Sequence, residues 1–328
     1  MGIKAFVTGG TGFVGAQLVR SLLAQNFEVR ALVRETSDLQ NLAGLRVETV
    51  FGDLRDPEIA GQLQGCQVLF HCAAHYSLWR RDRKAVYESN VLGTQNLLGA
   101  AQKAGIERTV HTSSVAAIGT PNTGAAVTET YQSPPEKLIS AYKQSKYYAE
   151  QVAWSAIQQG QDIIIVNPTT PIGPRDVKPT PTGDIILRFL RRQMPAYVDT
   201  GLNFIDVRDV ATGHLLALER GRTGERYILG NQNLTLQQFL AMLADLTGLS
   251  APTWQVPLWL PLTVAWLEEW VLASLGKSPS VPFDGVRMSS QKMFYDPRKA
   301  IQELGLPQSP IKQAAQDAIA WFQASQMD

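Results

Sequence analysis

The chain of 328 residues is 45% hydrophobic and 18% charged, which supplies one large core or two moderate ones and excludes disorder. Its formal charge of +1, without blocks of like charge, excludes a nucleic-acid footprint and an acidic tail. Two cysteines, Cys66 and Cys72, are too few for a disulfide framework and read as buried thiols of a reducing compartment.

The first residues enter a strand pattern at once, without a charged leader or apolar signal core, so the expected location is cytoplasmic. Apolar runs at 3–8, 28–33, 46–52, 67–73, 108–114 and 162–168 read as strands, with helical patterns between them at about 12–25, 56–64, 82–104 and 140–159. Strands that are apolar nearly throughout, separated by helices, predict a parallel sheet covered on both faces: a Rossmann, doubly wound α/β fold.

The stretch VTGGTGFVG joins the first strand to the first helix and spaces Gly9, Gly12 and Gly15 for a pyrophosphate-binding turn, with Thr11, Phe13 and Val14 beside them. The second strand ends in Val33 and Arg34, where an NAD enzyme offers a carboxylate to the ribose; a guanidinium suits a 2'-phosphate, which favours NADP(H) over NAD(H). The alternative is a solvated loop arginine. In FGDLRD, Asp53 and Leu54 are placed to meet the adenine, or Asp53 caps the helix at 56–64, a role that Asp56 already fits.

At the end of the fourth strand, Cys72, Ala73 and Ala74 are expected against the dinucleotide, and His75, Tyr76 and Trp79 follow as a pocket loop facing substrate, unless Trp79 only packs. His71 and His75 straddle a strand end instead of sharing a helix face, so no zinc pair and no metal site are expected; His111 and His214 read as satisfied packing residues. In AYKQSKYYAE, Tyr142 and Lys146 stand one helical turn apart, a spacing that by itself fits either surface chemistry or proton transfer.

A proline-dense loop after residue 168 divides the chain into a dinucleotide part, 1–167, and a substrate region, 168–328, of which about 203–220 returns to the first part. Helical patterns follow at about 184–193, 207–220, 235–247, 258–275 and 309–325, with a short strand in ERYILG. Residues 257–276 are nearly apolar, but Glu268, Glu269 and Pro261 in the middle argue against a membrane span. A groove lining, an oligomer contact or an interfacial face is expected there, which suits a lipid-linked or polycyclic substrate and peripheral membrane contact. The helices at 82–104 and 140–159 are candidates for a homodimer contact.

Together the glycine triplet, GDLRD, HTSSVA, YKQSK and VNPTTPIGPRD resemble the extended short-chain dehydrogenase/reductase superfamily over nearly the whole chain. NPTTPIGPRDVKPTPTG, MPAYVDTGLN and GHLLALERGRTGERYILG are similar to bacterial hopanoid-associated sugar epimerases, often described as dihydroflavonol-4-reductase-like. The resemblance implies that Tyr142 is the acid/base, Lys146 its helper and Ser114 the third member, with a phenol lowered by about three units toward neutrality. It also places Pro168 and Thr169, with Asn167, along the nicotinamide, gives Asn90 a supporting role, and puts Asp206 where the family carries a histidine. Three activities follow: an NADP(H)-dependent ketone or secondary-alcohol oxidoreductase acting on a small molecule, a sugar epimerase that recycles its cofactor and holds a diphosphate with Arg175, Arg188, Arg191 or Arg192, or a non-catalytic dinucleotide sensor.

Overall fold

The computed structural model describes residues 2–56, 58–121, 123–274 and 282–325; residues 57, 275 and 276 of the expected helical segments lie outside the described residues. In chain order the first elements are β1 (Lys4–Thr8), α1 (Phe13–Ala24), β2 (Glu28–Val33), β3 (Glu48–Phe51), β4 (Val68–His71), α2 (Arg83–Tyr87), α3 (Gly93–Ala104), β5 (Arg108–Thr112), α4 (Val115–Ile118), α5 (Ala141–Gln158) and β6 (Ile163–Pro168). There follow β7 (Thr170–Ile172), α6 (Pro181–Leu190), β8 (Ala196–Tyr197), β9 (Gly201–Asp206), α7 (Val207–Arg220), β10 (Arg226–Leu229), β11 (Gln232–Thr235), α8 (Leu236–Thr247), β12 (Trp254–Gln255), α9 (Trp259–Ser274), α10 (Phe283–Met288), β13 (Lys292–Met293) and α11 (Ile311–Ala324).

Seven parallel strands form the central sheet in the order β10-β6-β5-β4-β1-β2-β3. Alternate residues of each strand feed two separate cores: Val7, Phe70, Val110 and Ile164 pack with α1 and α7, and Phe6, Leu69, Ile163 and Ile165 with α3 and α5. Burial on both faces explains why these strands are apolar throughout. The order reverses between β1 and β4, where Thr8 pairs with His71, and the crevice for a ligand opens at that switch point.

Two expected helices take another form. Instead of a helix at 56–64 there is a single 3₁₀ turn, Ile59–Leu63, because the Asp56 carboxylate accepts the Glu58 N–H at 2.9 Å in a local turn and Gly65 (φ +78°) ends the segment. The helix at 82–104 is broken by a π turn at Glu88–Leu92, and the widened turn buries Asn90. After β6, α6 starts at Pro181, earlier than expected, with proline in its first turn and the Thr180 hydroxyl accepting the Gly183 N–H.

A small second sheet, β11-β9-β13 with β7 on β9, was not evident in the sequence, its strands being two to six residues long. It packs with α6, α8 and α11 around Phe204, Phe239 and Phe322. From β9 the chain returns to the central sheet through α7 and β10.

Candidate active site

The turn between β1 and α1 is shaped by what its glycines exclude. Gly9 has φ +72°, and a Cβ there would stand 2.6 Å from the Ala73 nitrogen, so the turn lies directly against Cys72 and Ala73. A Cβ on Gly15 would drive into the Gly9 carbonyl oxygen. Gly12 differs, since a Cβ there would meet only that oxygen, at 3.4 Å, and the residue is exposed. No acid stands in the first turn of α1 and no side chain caps it, which leaves the positive terminus to an anion. Thr11, Phe13 and Val14 are half-buried around this opening, Ala74 is exposed and the Thr11 carbonyl accepts from Asn41 Nδ2 at 3.1 Å. The arrangement fits a dinucleotide pyrophosphate: tight packing behind, open approach in front.

Arg34 is exposed at the end of β2, its backbone N–H held by the Ser37 hydroxyl at 3.0 Å. Nearby, Asp53 accepts from Arg55 Nε at 2.9 Å and Nη2 at 2.7 Å. Arg55, with a smaller contribution from Arg34, holds the Asp53 carboxyl below its usual range. Arg55 thus pairs with the one carboxylate at the carboxyl ends of β2 and β3, and the Arg34 guanidinium adds only its field. Asp53 caps no helix. Leu54 is buried, and its carbonyl accepts from Asn96 Nδ2 at 3.2 Å.

Ser114 follows β5 and caps α4, its hydroxyl accepting the Ala116 N–H at 3.1 Å and hydrogen-bonding the Tyr142 phenol. α5 starts at Ser140, which is strained at φ +94° and accepts the Lys143 N–H at 3.3 Å; this sets Tyr142 into the first turn. Lys146, one turn on, is buried and donates to the Thr112 carbonyl at 2.8 Å. The acidic phenol of the sequence reading draws on the cofactor's oxidised ring as well as on Lys146; the protein's own groups act, on balance, in the other direction. Burial pushes Tyr142 up to about 12, the Ser114 hydrogen bond opposing it only in part. Burial likewise pushes the Lys146 ammonium down to about 8. Within the chain's own field Tyr142 is a protonated donor at neutral pH.

The Tyr76 ring meets Tyr142 edge-on at 4.6 Å, and His75 is held beside it by Asn90, whose Oδ1 accepts the His75 N–H at 2.6 Å while Nδ2 donates to the His75 carbonyl and Ser145 Oγ. Trp79 lines a cavity of about 880 Å³ with Leu78, Arg80, Arg83, Ala141 and Arg287, of which Ala141 precedes Tyr142 in the chain. Pro168 is buried at the end of β6, and Thr169 donates to the Leu229 carbonyl at 3.2 Å.

Behind these residues lies a polar layer that sequence reasoning missed. Thr94 donates to the Asn90 carbonyl at 2.6 Å, so it accepts from His71 Nε2 at 2.9 Å, and His71 Nδ1 accepts from the Thr8 hydroxyl at 2.8 Å. The Thr8 oxygen in turn accepts the Ala73 N–H at 3.3 Å. A neutral His71, its pKa pushed down to about 3 by burial, therefore fastens the loop at 73–75 to α3. On the other side, Glu150 accepts from Ser113 at 2.6 Å, Asn167 at 3.2 Å and Arg226 at 2.9 Å, and Asn167 also donates to the Ser114 carbonyl at 3.0 Å.

Two further expectations are corrected, and a departure from the family pattern is placed. His214 is satisfied by Thr112 and Val210, but neither ring nitrogen of buried His111 has a hydrogen-bond partner. Asp206, where the family carries a histidine, is a buried cap of α7 and pairs with Arg208 at 2.6 Å. Arg175, Arg188, Arg191 and Arg192 do not line the cavity that Trp79 borders; Arg188 pairs with Asp184 at 2.6 Å and Arg175 stands over Trp321.

A parallel sheet with a glycine turn at its switch point, and a Ser-Tyr-Lys group at the ends of β5 and α5, define a dinucleotide-binding enzyme. Residues 5–230 match the NAD dependent epimerase/dehydratase family, and the chain belongs to it, as an NAD(P)-dependent oxidoreductase of the extended short-chain dehydrogenase/reductase type. It is 69% identical to a putative dihydroflavonol 4-reductase of Synechocystis over 97% of this chain and 94% of that one. It is 36% identical to sterol demethylase protein B of Methylococcus capsulatus over 98% of both. The crystal structure of gox2253 superposes with a TM-score of 0.87 at 44% identity, over 98% of each chain.

Proposed function

We propose that the protein is an NADP(H)-dependent reductase of a ketone, or dehydrogenase of the corresponding secondary alcohol, on an apolar polycyclic or lipid-linked substrate. The observation that carries this reading is the Ser114–Tyr142–Lys146 group at the ends of β5 and α5, with Tyr76 edge-on to Tyr142 and open space in front of the glycine turn. The dinucleotide, when bound, supplies or removes the hydride. Tyr142, protonated at neutral pH, delivers the proton to the substrate oxygen, and Ser114 orients that oxygen by its hydrogen bond. Lys146 is the cation nearest the site and the residue placed to hold ribose hydroxyls. His75, Tyr76 and Trp79 form the substrate wall, clamped through Asn90.

Arg34, with Arg55 beside it, supports the 2'-phosphate of NADP(H) over NAD(H). Gly9, Thr11, Gly12, Phe13, Val14 and Gly15 take the pyrophosphate, Asp53 and Leu54 the adenine side, and Cys72, Ala73, Ala74, Pro168 and Thr169 the nicotinamide side. The apolar substrate class follows the names of the relatives, a flavonol-type reductase and a sterol-processing protein. The same reading keeps the division at residues 167 and 168, pairing of two copies through α3 and α5, a cytoplasmic location and contact with membrane lipid. A second reading, the sugar epimerase with recycled cofactor, is favoured by the guanidinium groups of Arg80, Arg83 and Arg287 around the cavity, which suit a diphosphate.

The test is to titrate NADPH and NADH separately and then screen ketones, sterol-like ketones and nucleotide sugars for cofactor oxidation. Tighter NADPH binding with net oxidation by an apolar ketone is expected, and Tyr142→Phe is expected to lower turnover by at least two orders of magnitude, the scale of acid catalysis, with unchanged cofactor affinity. Full activity in that variant overturns the mechanism; sugar conversion without net oxidation selects the epimerase.

A further inference from the structure

We infer that the outward face of α9 docks the enzyme on the surface of a phospholipid bilayer. The inference deepens the reading above and rests on it for its purpose, access to an apolar substrate, though not for its test. Trp259, Leu260, Val264, Trp266, Leu267 and Trp270 are between 42% and 70% exposed. At about 100° per residue they span an arc of about 160°. No charged residue falls within it: Ala265, fully buried, marks the inward side, and Glu269 is turned to accept the Phe283 N–H of α10 at 3.1 Å. A shallow, mostly apolar groove of about 420 Å³ runs along Val264, Leu267, Val271 and Leu272, with Glu268, outside the arc, on its border.

The dimensions say how such a face is used. Sixteen residues make a helix about 24 Å long, short of the roughly 30 Å hydrocarbon core, and no helix among the described residues is long and apolar enough to cross a membrane. A second copy is the other conceivable cover. Helices that pair touch along a narrow seam, and two helices of this length bury a few hundred Å² each, below the about 800 Å² per partner of a stable complex. The rest of a 160° arc would stay in water. A bilayer interface wets the whole arc, and tryptophan, apolar in body with one N–H donor, is the side chain best suited to that depth.

Charge complementarity points the same way. At the α10 end, Arg80 and Arg287 both stand over the Phe283 ring, at 5.3 and 6.0 Å, with only the Asp284 carboxylate between them, an excess of one positive charge for lipid phosphate. These residues also border the 880 Å³ cavity, so a docked α9 brings its mouth to the lipid surface.

The full-length protein should float with phosphatidylcholine vesicles, half-bound at about 0.1 mM lipid, the strength of one acyl chain. Its indole emission should shift to the blue, and high salt should not release it. Trp266→Ser together with Trp270→Ser should weaken flotation at least tenfold while NADPH binding, measured in the same preparation as proof of folding, is unchanged. Wild-type protein that stays with the soluble fraction overturns the inference. So does a double variant that floats as well as wild type, or a wild-type dimer at micromolar concentration that the double variant dissociates. Flotation is read without any substrate, so an inactive protein that floats refutes the reductase reading alone.

Discussion

Lys143 and Lys146 are neighbours on α5, both 3% exposed and both pushed down to about 8 by burial, yet their surroundings differ. Lys146 has the Thr112 carbonyl and the field of Glu150, whereas the hydrogen-bond contact of the Lys143 ammonium is Met293 Sδ at 3.9 Å. A lysine whose folded pKa lies below its ordinary 10.5 costs stability wherever it is charged, and the cost is relieved as pH rises from about 8 to 10.5, where only the unfolded chain still binds the proton. Lys143→Met is therefore expected to stabilise the protein at pH 7 by roughly 1–3 kcal/mol and to remove part of the wild-type gain between pH 8 and 10, as measured by urea unfolding at each pH. The spacing singles out Lys146 as one helical turn from Tyr142 but says nothing of what either ammonium touches. YKQSK showed the spacing, and only the packed neighbours showed which ammonium has an oxygen acceptor. Asp206 is the same lesson: a departure from the expected histidine that turned out to be a helix cap paired with Arg208.

Among the elements, the β1–α1 turn was the most legible and the π turn the least. Three glycines at fixed spacing state a backbone requirement, and the structure distinguishes their tasks. Gly15→Ala forces a Cβ into the Gly9 carbonyl oxygen, so it should unfold the turn and lower the melting temperature by several degrees. Gly12→Ala has room on the protein side, so its melting temperature should stay within about 2 °C of wild type while dinucleotide affinity falls tenfold or more, read by NADPH fluorescence titration. Equal effects of the two changes would contradict the assignment. The π turn at Glu88–Leu92 was not anticipated within the helical pattern at 82–104; its one extra residue rotates the positions that follow by about 100° relative to those before it. Its consequence is large, because it turns Asn90 inward to clamp the His75 peptide.

At the scale of the molecule, Glu150 ties together the ends of β5 and β6, the middle of α5 and the edge strand β10 through Ser113, Asn167 and Arg226. Both members of the ion pair are largely buried, with the side chains 2% and 13% exposed, so removing one strands the other's charge. Glu150→Ala should cost about 3–5 kcal/mol in urea unfolding. Turnover should fall as well, because Asn167, which holds the Ser114 carbonyl, loses an anchor. The sequence by itself determined the doubly wound sheet, the spacing of the glycine turn and the one-turn spacing of Tyr142 and Lys146, because these depend on local periodicity and on residue types whose backbone is specific. Only the tertiary structure decided the protonation preference of Tyr142, the His71 and Glu150 supports, and the exposure of the α9 tryptophans. Those depend on burial and on contacts between residues far apart in the chain, and the free energy of a buried charge or an exposed indole is set by neighbours that no local pattern names.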